Sequence, residues 1–586
     1  MFLGTMCSMQ ASRALSEPFT VSQPDGKTLT IKLYGDEHLS WLTTSDNILV
    51  VETPKGYFVA AVAADGHLVA SPYLAHQPAA RPAEEQLACR QQQQRRSLFF
   101  DRVGRTWDTA RRAQVTGQSY FPHMGSPKCL VILVNFQDVK FQSDDPYAQF
   151  DQYLNGEVQL DLGHNEQKNV TSVRRYFELS SHGLFTPQFD LVGPVTLPQT
   201  LEYYGADSGD NKDVHFNDFC KDAIAAVDTL VDFRHYDNTG DGRAELVCIV
   251  FAGYGQNVSG NASNTIWAKC GYRGIATDDG VSVGFLNCSA ELFRVSTGTN
   301  INGHGVFCHE FSHGMGLPDL YVTISSAQVN NQSPEFFDLM DYGEYAKNGY
   351  APVPYSAWEQ EAMGWIEIEQ LTEARDSIVL KPLIQGGKAY KFGNGANSEE
   401  WMMIENVQPY DLAHHIPGFP YGHGLLVWHI AYASSQVTMG DYPNNTANHP
   451  RVSIVPASGQ LINGYLFGPG QPYSQAEYLE SLRAAPFPGT CGVTMLSAEQ
   501  QLPNYLFYNG DESPVFKLFR IAEDSLGVVT FSFDDGLGTA LPAVRDVASD
   551  AVSRAYYSLD GRLVGYDPRQ LHSGLYIRNG KKVVLK

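Results

Sequence analysis

GHGVFCHEFSHGMGLPDLY, residues 303–321, sets His309 and His313 four positions apart, and FFDLMDYGEY follows at residues 336–345. On a helix that spacing stacks both imidazoles on one face, one turn apart, as a single metal ion requires. Zinc is the expected metal. Glu310 stands beside that face, where a carboxylate can accept a proton from attacking water without being spent as a ligand, so it is the expected general base. Gly316, three residues after the second histidine, has no Cβ and lets the helix stop and the chain turn back. Asp319 then arrives as the expected third ligand. A bare HExxH also occurs on solvated helices that bind nothing; adding Gly316, Asp319 and a methionine turn at Met340 makes accident a poor account.

HExxHxxGxxD with a downstream methionine turn resembles the metzincin clan, with aspartate where most members carry a third histidine. The surrounding words, from STGTN at Ser296–Asn300 through Tyr321, are similar to the immune inhibitor A-type secreted metallopeptidases of bacteria. The resemblance implies that His309, His313 and Asp319 bind zinc, that Glu310 is catalytic and that Met340 lies under the metal. It also implies that Tyr342 steadies a tetrahedral intermediate. Further words, SVRRYFELSSHG, MIENVQ and GHGLLVWHI, extend the likeness over roughly residues 125–535.

Of 586 residues, 43% are hydrophobic, enough to bury several cores. The 64 acidic against 41 basic side chains give a net charge of −23, which repels phosphate backbones and argues against nucleic acid as a partner. No apolar run reaches bilayer length, so no transmembrane segment is expected. Nine cysteines are scattered without a CxxC pair. A disulfide such as Cys270 with Cys288 stays open.

Residues 1–16 read either as a clipped signal peptide or as an unstructured terminus. Residues 17–80 alternate apolar and polar positions (Leu29, Ile31, Leu33) between Asp-Gly and Lys-Gly turns, which predicts hairpins; their place ahead of a protease suggests a β-rich pro-region, the alternative being an attached accessory module. Residues 81–124, with QQQQRR at Gln91–Arg96, read as an exposed linker and processing segment or a short solvated helix. Cys89 within it could ligate zinc as a thiolate or be a bystander. Residues 125–370 form the metallopeptidase domain, opened by the doubly buried strand KCLVILVNF, with a helix capped at Thr171 or Ser172 and a core helix carrying Phe216, Phe219, Ile224, Val227, Leu230 and Val231. A further short helix has Ser356 and Glu359 in capping-box relation. In HYDNTGDGRAEL, Asp237, Thr239, Asp241 and Glu245 present oxygens at calcium-loop spacing; the twelfth loop position is Cys248 rather than glutamate, and a metal-free turn is the other reading.

Residues 371–537 read as a β-sandwich, and His414, His415, His423 and His429 within it as structural or surface histidines. Residues 545–586, ending SGLYIRNGKKVVLK, resemble the C-terminal sorting domain of the type IX secretion route of Bacteroidetes. The expected fold is therefore an α/β metzincin-like catalytic domain with additional all-β domains: an N-terminal pro-region, a C-terminal sandwich and a short tail. The expected function is a zinc endopeptidase of protein or peptide substrates, made as a zymogen and secreted or held at a Gram-negative, Bacteroidetes-like cell surface, with secretion machinery as a partner through the tail. Two other classes share these features: a catalytically silent surface adhesin, and a zinc hydrolase of non-peptide amides.

Overall fold

The computed structural model of the chain describes residues 9–536 apart from 16–17, 37–39, 111–119, 157–168, 209–210, 259–263, 296–297, 324, 329, 394–399, 412–413, 434–436, 469–470 and 509–515, and beyond them 556–557, 563–565, 571, 573–578 and 581–585. A short strand β1 (Met9–Ala11) precedes a six-stranded antiparallel meander. Its strands are β2 (Phe19–Ser22), β3 (Thr28–Gly35), β4 (Ser40–Thr44), β5 (Leu49–Thr53), β6 (Gly56–Val62) and β7 (Leu68–Leu74). The alternation of Leu29, Ile31 and Leu33 places all three in its core.

The Gln- and Arg-rich stretch is a helix rather than a linker, and longer than the short one expected: the 28-residue α1 (Ala83–Ala110), packed on β6 and β7. Glu85, Cys89, Gln92 and Phe99 recur at helical spacing and are buried, a stripe hidden from a hydrophobicity reading because half of it is polar. The Gln92 amide donates to the Leu49 and Ala60 carbonyls and accepts from the Leu49 N–H. Its burial therefore leaves no unmet hydrogen bond. Cys89 lies in the core of the meander, and burial pushes its thiol pKa up, the reverse of what a thiolate ligand needs.

The central sheet belongs to the next segment, which runs β8 (Lys128–Asn135), α2 (Pro146–Asn155), α3 (Val173–Ser180), β9 (Gln188–Thr196), α4 (Leu201–Tyr204), α5 (Phe216–Val227), β10 (Arg243–Tyr254), β11 (Lys269–Ala276), β12 (Ser282–Val295), β13 (Gly298–Ile301) and α6 (His304–Gly314). Strand order is β1-β11-β12-β10-β8-β9, with β13 hairpinned onto β12; β12, β10, β8 and β9 are mutually parallel and β11 runs against β12. Residues of β8 and β10 alternate between two cores, Cys129, Val131, Leu246 and Cys248 facing the α6 side, Leu130, Ile132, Val247 and Ile249 facing α5. Both faces being covered explains the unbroken apolar runs. Ser172 caps α3 and α5 forms as its periodicity predicts, but Leu230 lies past the helix end and is 62% exposed.

The eight described cysteines, Cys89, Cys129, Cys220, Cys248, Cys270, Cys288, Cys308 and Cys491, are free thiols. Cys270 pairs across the ladder with Asn287, and Cys288 with Lys269. The one-residue offset sends the two thiols to opposite faces of the sheet, into different cores, so they cannot join.

After α6 come α7 (Ser325–Gln328) and α8 (Ala357–Ala362), the latter opened by the Ser356/Glu359 capping box. Two further sheets follow, β14 (Glu369–Gln370), β16 (Tyr390–Phe392), β17 (Trp401–Val407), β18 (Gly424–Ile430) and β19 (Val452–Ile454) in one, and β15 (Arg375–Leu380), β20 (Lys517–Glu523) and β21 (Val529–Asp534) in the other. They face each other across a shared core, and α9 (Gln475–Arg483) is inserted between β19 and β20. The outer face of the larger sheet does not meet solvent: Trp401, Met403, Leu426 and Trp428 belong to the same core as Phe311, Met340 and Trp358. Packing thus runs without interruption across residue 370. In the tail β22 (Tyr556–Tyr557), β23 (Leu563–Gly565), β24 (Gly574–Arg578) and β25 (Lys581–Leu585) make a small sheet. Among the described residues no helix is long and apolar enough to cross a membrane.

Candidate metal centre

Helix α6 is buried along its whole length, so neighbours on every side orient its histidines. Its end has the geometry of a glycine-terminated helix: Gly316 has φ +105°, and the Leu317 N–H reaches back to the Ser312 carbonyl at 3.1 Å. A Cβ at Gly316 would stand 3.2 Å from the Tyr120 ring. The reversed chain brings Asp319 Oδ1 to 3.3 Å from both His309 Nε2 and His313 Nε2.

Each ring is aimed by its other nitrogen. His309 Nδ1 donates to the Leu339 carbonyl at 3.0 Å and His313 Nδ1 to the Leu317 carbonyl at 2.8 Å, which leaves the Nε2 lone pairs free. Met340 is fully buried; its carbonyl takes the Leu320 N–H at 2.9 Å and its N–H is held by Asp338 at 2.7 Å, so the methionine turn both presents Leu339 to His309 and anchors the loop that carries Asp319. His309 Nε2, His313 Nε2 and Asp319 Oδ1 are buried and have no hydrogen-bond partner. One ligand atom from each of the three residues converges within 4.8 Å. Three buried, unpaired Lewis bases around one point fit a divalent cation and little else. The field agrees: burial alone would lower the His309 pKa, yet Glu344, Asp319 and Glu310 around it hold it well above the ordinary value.

Glu310 is fully buried beside this cluster, and burial raises its carboxyl pKa against the opposing pull of His309 and His313. One of its oxygens, Oε2, is unpartnered; the other, Oε1, accepts the Ser12 N–H at 2.6 Å and the Ser12 hydroxyl at 2.8 Å. Sequence reading missed this neighbour, whose partner lies 298 positions away. Strand β1 adds antiparallel to β11, Trp267 Nε1 holds the Ser12 carbonyl at 2.8 Å, and the Tyr345 hydroxyl holds that of Arg13 at 2.6 Å. Glu344 was missed as well. It is buried 3.9 Å from His309 Nδ1, bonded to the Ser12 hydroxyl at 2.9 Å, with a pKa pushed up to about 8 by burial first and Glu310 second. An acid set between the two tyrosines of DYGEY was the available signal.

Tyr342 is buried with its ring 4.0 Å from the Arg13 guanidinium and stacked on Phe336. Asp237, Asp241 and Glu245 also converge, but Asp237 accepts the N–H groups of Gly240, Asp241 and Gly242, Glu245 those of Asn238 and Thr239, and Asp241 lies 3.3 Å from the Arg243 guanidinium. The four sandwich histidines do not converge; His414 bonds Asp411, His415 the Val170 carbonyl, His423 Glu523 and the buried His429 Glu400.

Comparison with known proteins falls on the same region. Residues 119–366 match the family model of the immune inhibitor A peptidase M6 catalytic domain. Immune inhibitor A of Bacillus thuringiensis subsp. alesti is 25% identical over 279 residues, 42% of this chain and 40% of its own length. The pre-pro-metalloprotease PrtV of Vibrio cholerae serotype O1 is 24% identical over 297 residues, 43% of this chain and 32% of its own. The chain thus spans well under half the length of these relatives. The segment that holds His309, His313, Asp319 and Glu310 is therefore the part of the chain that is similar to the immune inhibitor A peptidase M6 catalytic domain.

Proposed function

We propose that the protein is a secreted zinc endopeptidase, held latent in the state described above. The observation that carries the reading is the convergence of three unpartnered buried ligand atoms with Glu310 beside them. His309 Nε2, His313 Nε2 and Asp319 Oδ1 hold the ion. Zinc, when bound there, acts as a Lewis acid toward the scissile carbonyl and acidifies water. Glu310 takes the proton of the attacking water at a carboxylate oxygen and passes it to the leaving amine. Tyr342 supports the oxyanion through its hydroxyl, so Tyr342→Phe lowers kcat with little change in KM. A substrate strand adds to the edge of β11, where β1 now lies. Ser12, bonded to Glu310 Oε1 and to Glu344, and β1 on the β11 edge together fill the place of a substrate beside the centre, and this makes the full chain a zymogen.

The test is hydrolysis of an unfolded protein by full chain before and after limited proteolysis of the N-terminal region. Activity is expected only after trimming, abolished by a chelator and absent in Glu310→Gln. Trimmed wild type that is inert, or Glu310→Gln that stays active, sinks the reading. Asp237, Thr239, Asp241 and Glu245 are proposed to take calcium, checked by calcium titration calorimetry against Asp241→Ala. The β24/β25 hairpin is proposed to address the chain to secretion machinery for release or surface display, checked by whether deleting 545–586 leaves the protein in the cell.

A further inference from the structure

Beside the metal centre, one residue past the Ser12 contact with Glu310, lies a fully enclosed pocket filled by the Arg13 side chain, itself 1% exposed. Its Nη1 pairs with Asp341 Oδ1 at 3.0 Å, and the guanidinium is sandwiched between the rings of Tyr342 at 4.0 Å and Tyr465 at 3.9 Å. The floor is a second buried acid. Glu335 is tied to Asp341 by its own N–H at 2.7 Å and receives the Gly464 N–H at 2.9 Å and the Tyr478 hydroxyl at 2.8 Å. A Cβ on Gly464 would stand 3.2 Å from Arg13 Nη2 and 2.5 Å from the Tyr342 ring, so the missing side chain is what makes room for the fork. Two buried carboxylates between aromatic walls, with a planar cation as their counter-charge, are costly when that cation is absent.

β1 (Met9–Ala11) lies on the β11 edge as an added strand and runs directly into Ser12 on Glu310, so this segment occupies the place of a peptide ligand with Arg13 next in the chain. We infer that the Asp341, Glu335, Tyr342, Tyr465 and Gly464 pocket is a specificity subsite of the peptidase, selecting substrates with an arginine side chain immediately beside the bond that Glu310 serves. Arg13 is its resident stand-in. The planar fork, stacked on both faces, favours arginine over lysine. The inference rests on the peptidase reading for the word substrate, while the pocket can be measured without catalysis.

A site-specific protease recognition sequence is placed between residues 15 and 18 of the full chain, the folded protein is cut, and the released segment is washed away. Binding of an acetylated Met9–Leu15 peptide is then compared with the same peptide carrying citrulline for arginine, which keeps the shape and removes the charge. The arginine peptide should bind about tenfold or more tightly, and Asp341→Asn should bring the two within about twofold. Gly464→Ala should weaken the arginine peptide alone. The same citrulline exchange in a cleavable peptide should lower kcat/KM by a matching ratio. Equal affinities overturn the pocket, and binding that discriminates while cleavage of both peptides is equal overturns the specificity. Discriminating binding with no cleavage of any peptide leaves the pocket standing and removes the peptidase reading; equal affinities with cleavage of both peptides do the reverse.

Discussion

At the residue scale the centre depends on a few side chains, two of them imidazoles whose second nitrogens are held by backbone carbonyls. Glu310→Gln keeps the volume and the Ser12 contacts but cannot accept a proton; hydrolysis by trimmed enzyme should fall by about 10²–10⁴-fold while bound metal, measured by elemental analysis, is unchanged. Asp319→Asn should instead lose metal, since a neutral amide replaces the one anionic ligand between two imidazoles. Gly316→Ala forces a Cβ into φ +105° against the Tyr120 ring, with a cost of about 1–3 kcal/mol that thermal melting should detect. These residues were legible in the sequence because helix spacing is local geometry. Ser12, Arg13 and Glu344 were not, because each matters only through what it faces.

Among the elements, α1 and the meander it covers carry a titratable joint. His76 Nδ1 meets Glu85 Oε2 at 2.6 Å and His76 Nε2 meets Asp25 Oδ2 at 2.9 Å. Burial disfavours the imidazolium, yet bonds to Asp25 and Glu85 outweigh it and the His76 pKa is raised on folding. A raised folded pKa contributes stability that is fully present below the unfolded value and is lost as pH rises through the folded one. Hydrogen exchange at the start of α1 should therefore be slower at pH 5.5 than at pH 8.5. An exchange pattern that does not change, after correction for intrinsic rates, excludes this coupling. The N-terminal hairpins, β8 and the helices α3, α5, α6 and α8 could be placed from pattern; α1 could not, because its buried stripe relies on a glutamine whose partners lie on β5 and β6 and a glutamate whose partner His76 follows β7.

For the whole molecule, the centre draws on α6, the loop to Asp319, the methionine turn and the N-terminal segment, which makes metal occupancy and folding interdependent. A ligand that binds only the folded state stabilises it in proportion to its affinity; chelation should lower the melting temperature of the catalytic half by roughly 10 °C, with Glu310→Gln melting like wild type. A melt insensitive to chelator contradicts a tightly held ion.

Two imidazoles one turn apart, a base beside them, a glycine that ends the helix and alternating strands are consequences of bonds along the chain, and the order of residues alone was enough to specify them. Which thiols stay apart, what covers Glu310, and where Arg13 finds two acids and two tyrosines were decided only by the tertiary structure. Those contacts join residues up to hundreds of positions apart, and a linear pattern carries no record of which surfaces meet once apolar faces are buried.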